Sequence, residues 1–269
     1  MQFVDTHCHI HEALDSVDFG SETRARYQKA GMPKPDDIIA RAIKDGVTRM
    51  ICVGTTLEDS QLAVEFVQAR PSCWASIGIH PHEAKDHLGT AAKKQFAALA
   101  TQAKVVAVGE CGLDYFYENS PKAEQIDLLH FQLHLAEKHN LPVIFHVRDA
   151  FDDFWPVFDT YKVRGVIHSF SATRKELDEI LARNLFVGLN GIITFTKNAE
   201  QLAAAKAVPL GKMLLETDSP FLTPHPYRGT ICEPKHIRAT AEFLAELRRE
   251  PLAEIAQKTT TNAHKLFGV

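Results

Sequence analysis

The chain has 269 residues, 45% of them hydrophobic and 24% charged, the balance of an ordinary globular protein with a sizeable core. Its 30 basic and 34 acidic side chains leave a formal net charge of −4, which excludes a general electrostatic pull toward nucleic acid or membranes, so a polyanion would have to be held by a local site. No run approaches the ~18 apolar residues of a membrane span, and the N-terminus shows neither the basic nor the apolar region of a signal peptide.

The first strand is expected in Phe3-Val4-Asp5-Thr6-His7-Cys8-His9, where period-two alternation turns Asp5, His7 and His9 to one side. Residues 16–35 are polar and carry Gly20, Gly31, Pro33 and Pro35, and read as a surface excursion. A helix over 36–45 follows, with acid at its start and Gly46 as its stop. Strand two is expected at 49–53, a helix at 56–70, strand three at 72–79 closing in His80-Pro81-His82, and a helix at 90–102. Val105 to Val108 is an apolar run buried on both faces, ending at Gly109 with Glu110 in the closing position. A carboxylate there needs a cation or donors, and Gly109 and Gly112 would let the backbone approach whatever supplies them.

A long amphipathic helix is predicted over 121–140, with Leu128, Phe131 and Leu135 on one face. Strand five (141–146) ends in His146, followed by Arg148, Asp149 and another helix; strand six (163–168) ends in His168. Ser169 to Ser171 is expected to cap a helix over 173–184. Strands seven (185–189) and eight (212–216) lead to Thr217 and Asp218, and two helices near 234–249 and 251–267 finish the chain. Eight strands alternating with helices, without a linker, define an α/β chain and a single TIM-type (β/α)8 barrel domain over residues 1–269, with 16–35 and 114–120 as insertions on its catalytic rim.

In such barrels the active face is the rim of strand C-termini. His7, His9, His80, His82, Glu110, His146, His168 and Asp218 all fall there. Singly, each has an ordinary explanation: a hydrogen-bonded core His, a strand-end Glu paired with Arg, an Asp capping a helix. Together they point to metal. With His80 and His82 set aside, the remaining four His and two carboxylates exceed one tetrahedral zinc site, and two divalent ions sharing Glu110 fit better, with His7, His9 and Asp218 on one and His146 and His168 on the other. Among Zn, Mn, Mg, Ni and Fe, mixed nitrogen and oxygen donors favour the transition metals over Mg. Arg148 is a candidate phosphate clamp, and His80 and His82 read as substrate contacts or support for the ligands.

Asp5-Thr-His-Cys-His9, Gly78-Ile-His-Pro-His82, Gly109-Glu-Cys-Gly-Leu-Asp-Tyr115, Phe145-His-Val-Arg-Asp149, Ile167-His-Ser-Phe170 and Glu216-Thr-Asp-Ser-Pro220 run in order along a chain that closely resembles the TatD-like metal-dependent deoxyribonucleases. The resemblance implies a barrel of the amidohydrolase superfamily with two divalent ions on His7, His9, Glu110, His146, His168 and Asp218. It implies phosphodiester hydrolysis, typically exonucleolytic, on single-stranded DNA; 3'-5' polarity is expected, with RNA a further substrate. Apart from the resemblance, Asp218 and Glu110 read as the catalytic carboxylates, and Arg228 joins His80, His82 and Arg148 as a candidate substrate contact. Two positions depart from the family pattern: His11 stands where an Asp is frequent, and Cys232 stands at the Asn of R-G-x-x-N-x-P. The alternatives are an amide or ester hydrolase, such as an aminoacyl-tRNA deacylase, and a metal-binding scaffold without turnover. The five Cys (8, 52, 73, 111 and 232) form no C-x-x-C, so reduced thiols and a cytoplasmic protein are expected, with no membrane and no obligate protein partner.

Overall fold

Eight strands form one sheet in the order of the sequence: β1 (Phe3–Cys8), β2 (Val47–Val53), β3 (Cys73–Ile77), β4 (Val105–Asp114), β5 (Val143–Arg148), β6 (Gly165–Ile167), β7 (Phe186–Leu189) and β8 (Met213–Leu215). The strands pair in parallel wherever their registers are defined. Parallel neighbours need crossovers, and helices supply them: α1 (Glu22–Lys29), α2 (Pro35–Lys44), α3 (Leu57–Gln68), α4 (Thr90–Leu99), α5 (Lys122–His139), α6 (Phe151–Phe158), α7 (Arg174–Ala182) and α8 (Ala199–Ala207). Two more, α9 (Ile237–Arg248) and α10 (Leu252–Phe267), close the chain. The fold is the α/β TIM barrel expected. The computed structural model describes residues 1–17, 20–86 and 89–269, so residues 18 and 19 of the expected excursion lie outside the described residues.

Contacts group the chain into two units. In the first (1–51 and 169–265), Thr6 donates its hydroxyl to the Leu215 carbonyl at 3.0 Å, and an isolated parallel bridge joins Cys8 to Ser219. Phe3, Ile38, Ile51, Ile180, Val187, Leu214 and Leu244 are buried. In the second unit (52–168 and 266–269), Phe145 sits edge-on to Phe154 at 5.1 Å and to Phe158 at 5.7 Å, contacts worth about 0.5–1.5 kcal/mol each beyond area burial.

Several expectations are corrected. Residues 22–29, read as irregular, form α1: Ser21 accepts from the Arg24 amide and Arg26 pairs with Glu22 one turn away. α7 is capped by Thr173, whose partner in the capping box is Glu176, rather than by Ser169 to Ser171. α8 follows β7 in a stretch for which no helix was expected. β4 does not stop at Gly109. It runs on to Asp114 with an extra residue between Val108 and Cys111 relative to β5, so Glu110 lies within the strand at the irregularity. Gly109 and Gly112 have φ of 133° and 155°, and a Cβ on either would strike the β5 backbone at Ile144 or His146. The close approach they permit is to the neighbouring strand.

Candidate metal centre

In the first unit β1 ends beside the segment after β8. Asp5 is fully buried and accepts from the Thr217 amide (2.9 Å) and hydroxyl (2.6 Å); burial is the main reason its pKa is raised to about 8, against the pull of those hydrogen bonds. The Asp218 amide donates to the His7 carbonyl at 2.8 Å, and the His9 amide donates to the Ser219 carbonyl at 2.8 Å. Asp218 adopts φ of 60°, a left-handed conformation that Asp tolerates better than most residues. Its Oδ1 then lies 3.7 Å from His7 Nε2 and 3.4 Å from His9 Nε2, and the two imidazole nitrogens are 3.2 Å apart. An ion bound at about 2.0–2.2 Å in tetrahedral geometry would separate its donors by about 3.4 Å. These three atoms have the spacing and chemistry of a face of such a site.

In the second unit the irregularity in β4 puts Glu110 among imidazoles. Its Oε1 is 2.9 Å from His146 Nδ1, 3.5 Å from His80 Nε2 and 3.9 Å from His168 Nε2. His80, Glu110 and His146 each offer one ligand atom within 4.8 Å of the others, the arrangement an ion requires. His80, read from the sequence as a substrate contact or a support for the ligands, thus offers a ring nitrogen within that group. Burial, followed by the neighbouring His146, pushes the His80 pKa well down, which keeps its lone pair available. For His146, burial favours the neutral ring, but hydrogen bonds to Asp114 and Glu110 prevail and raise its pKa to about 9. Two carboxylates on one imidazole call for positive charge at that spot, and a divalent cation answers the same demand.

Asp114 and two glutamines escaped the sequence reading. The Asp114 side chain is fully buried, and its Oδ2 receives His146 Nε2 at 2.8 Å and His82 Nε2 at 3.1 Å. Its Oδ1 receives the amides of Phe116 (2.9 Å) and Tyr117 (3.0 Å). Burial opposes the charge, yet these donors hold its carboxyl well below the usual range. On α5, Gln132 grips Ile79 through both backbone groups, at 2.8 and 2.9 Å. Gln125, two turns earlier, accepts from the Asp114 amide at 2.8 Å and donates to the Ser120 carbonyl at 2.8 Å. Both are buried, and both fix backbone that carries site residues. A pair of Gln at i and i+7 on an apolar helix face was a usable sequence signal.

The predicted arginines lie on exposed rims. Arg148 rests over the rings of Phe116 (3.9 Å) and Tyr117 (4.9 Å). Arg228, in the first unit, rests over Phe195 at 3.8 Å and donates to the Thr223 carbonyl at 2.8 Å. Glu216 accepts from the Ser169 amide at 2.6 Å and so anchors the segment that follows β6. Of the departures, His11 and Cys232 are both buried, and the Cys232 carbonyl accepts from the Ser219 hydroxyl at 2.8 Å beside Asp218.

A TIM barrel whose strand ends carry histidines and carboxylates at ligand spacing defines the class of metal-dependent hydrolases. A sequence model described as TatD related DNase matches residues 4–268. The uncharacterized metal-dependent hydrolase YcfH of Escherichia coli strain K12 is 35% identical, over all of this chain and 97% of its own. The 3'-5' ssDNA/RNA exonuclease TatD of Shigella flexneri serotype 5b is 35% identical over 87% of this chain and 93% of its own. The crystal structure of YJJV, a TatD homologue from Escherichia coli K12, matches with a TM-score of 0.86 and 29% identity, covering 99% of this chain and 98% of that one. The chain belongs to the TatD-related DNase family and is a metal-dependent hydrolase acting on phosphoester bonds. Among the described residues, no helix is long and apolar enough to cross a membrane.

Proposed function

We propose that the protein is a 3'-5' exonuclease on single-stranded nucleic acid, DNA foremost, using two divalent ions. His7, His9 and Asp218 would hold one, and Glu110, His146 and His168 the other, with His80 at the edge of the second set. The observation that carries this reading is the mutual spacing of the His7, His9 and Asp218 donor atoms, 3.2 to 3.7 Å. The likeness, over 87% of this chain, to a relative named for that activity supports the substrate class. Bound divalent ions supply Lewis acidity toward a phosphoryl oxygen and lower the pKa of water toward neutrality.

The chain's own residues do the rest. Asp218 is 17% exposed, so its carboxylate reaches solvent and can take a proton from the attacking water. Arg148 and Arg228 offer guanidinium groups to flanking phosphates, and His82 a ring held by Asp114. With a net charge of −4, affinity rests on few phosphate contacts, which suits a strand end rather than the length of a duplex.

The deciding experiment is a panel of single-stranded DNA, RNA, duplex DNA and an aminoacyl ester, each incubated with protein and Mn2+. Stepwise shortening of single strands from the 3' end is expected, with duplex resistant. Turnover of the ester alone would replace this reading with that of an acyl hydrolase.

A further inference from the structure

Phe116 and Tyr117 are 55% and 54% exposed, among the largest apolar exposures in the described residues. Such residues scattered singly need no explanation, but these are adjacent, with ring centroids 4.8 Å apart in an edge-to-face arrangement. They are also fixed in place. Asp114 accepts both of their amides, and the Tyr115 amide donates to the Arg148 carbonyl at 3.0 Å. At the far end of the loop, the Ser120 hydroxyl donates to the His82 carbonyl at 2.7 Å. A loop held at both ends by part-buried hydrogen bonds presents its aromatic rings at little entropic cost.

Their position gives the exposure a use. The Tyr117 ring is 5.4 Å from that of His82, which is 6.2 Å from His146, the imidazole against Glu110. Arg148 lies over both aromatic rings, and more than half of each residue remains open with the guanidinium already there. Flat aromatic faces beside a guanidinium, a few ångströms from metal-binding side chains, match the chemistry of a nucleotide: a planar base, and a phosphate one sugar away. A base within a duplex has both faces covered by its neighbours, whereas one at a single-stranded end can leave the stack.

We infer that Phe116 and Tyr117 form a nucleobase-stacking platform that, with Arg148 on the adjoining phosphate, seats an unpaired nucleotide beside the metal centre and selects single strands. The inference rests on the nuclease reading and deepens it by naming what holds the base. Because stacking uses the π-face that every base has, the platform would be tolerant of sequence.

The test uses the full chain, metal-loaded, carrying Asp218→Asn to block hydrolysis. Dissociation constants are measured for a single-stranded DNA pentamer and for the same pentamer with abasic sugars at its 3' end. The base-bearing pentamer should bind about tenfold or more tightly, and Phe116→Ala/Tyr117→Ala should bring that ratio toward unity while Phe116→Trp keeps it. A parent protein that does not distinguish the two pentamers overturns the platform. So does a double variant that weakens both equally and keeps the ratio, because the loop would then be only a scaffold. The nuclease reading is judged separately by cleavage with the unmutated protein. Protein that discriminates the pentamers but cuts neither upholds the platform and contradicts the nuclease.

Discussion

Asp114 Oδ2 lies 2.8 Å from His146 Nε2, while the other nitrogen of that ring faces Glu110 at 2.9 Å. An imidazole held from both sides has its orientation fixed before any ligand arrives, and a carboxylate behind a metal-binding His raises its basicity. Asp114→Ala should therefore lower metal affinity or turnover by about 10- to 100-fold while the protein stays folded. Metal titration alongside far-UV circular dichroism checks this. Unchanged affinity and turnover would show that the hydrogen bond has no functional weight.

The proposed donor sets have no histidine in common, so removing one histidine should weigh mainly on one ion. His9→Ala is expected to reduce bound metal by one equivalent and His146→Ala by the other, each leaving the remaining ion measurable by elemental analysis. Equal loss of both ions from either variant would contradict this assignment of the histidines.

Gln132 satisfies both backbone groups of Ile79 from a buried position. Gln132→Leu leaves an N–H and a C=O unpaired, at a cost of about 1–3 kcal/mol each. Thermal unfolding should shift down by at least several degrees, since each kcal/mol is worth about 2–4 °C in a chain approaching this size. Because Ile79 precedes His80, metal affinity should fall as well. A melting temperature within a degree of the parent would rule out the clamp.

His236 provides a pH test away from the metal centre. Its Nδ1 accepts from the Glu233 amide at 3.0 Å, its ring stacks on Tyr227, and burial, followed by the charge of Lys235, lowers its pKa to about 4. The unfolded chain binds this proton below about pH 6.5 and the folded one only near pH 4. Stability from this group is thus complete above pH 6.5 and is lost as pH falls toward 4. Denaturant midpoints should drop over that window, and less steeply for His236→Gln. Identical slopes in the two proteins would contradict the assignment.

Legibility in the sequence followed burial. Val143 to Phe145 are buried and read as a continuous apolar run; of Val105 to Val108, expected to be buried throughout, Ala107 and Val108 are buried and Val105 and Val106 half-buried, yet the apolar run still made the His and Glu beyond such strands conspicuous. Elements lacking that contrast were lost. In α1 only Thr23 and Tyr27 are buried, and in α8 only Ala204 and Ala205, so neither shows an apolar stripe, although Ser21 and Asn198 are sound caps. The extent of β4 was hidden because Glu110 and Asp114 interrupt its apolar pattern, although both are buried. Asp114 was missed for the same reason. Its role depends on a one-residue irregularity in strand register, which composition and spacing do not encode.

Hydrolysis should require metal held by these histidines and carboxylates. The most direct measurement is cleavage of a 5'-labelled single-stranded oligonucleotide by protein stripped with chelator and verified by elemental analysis to hold no divalent metal. The stripped protein should not cleave, and adding Mn2+ should restore cleavage. Undiminished cleavage by the verified metal-free chain would contradict that requirement.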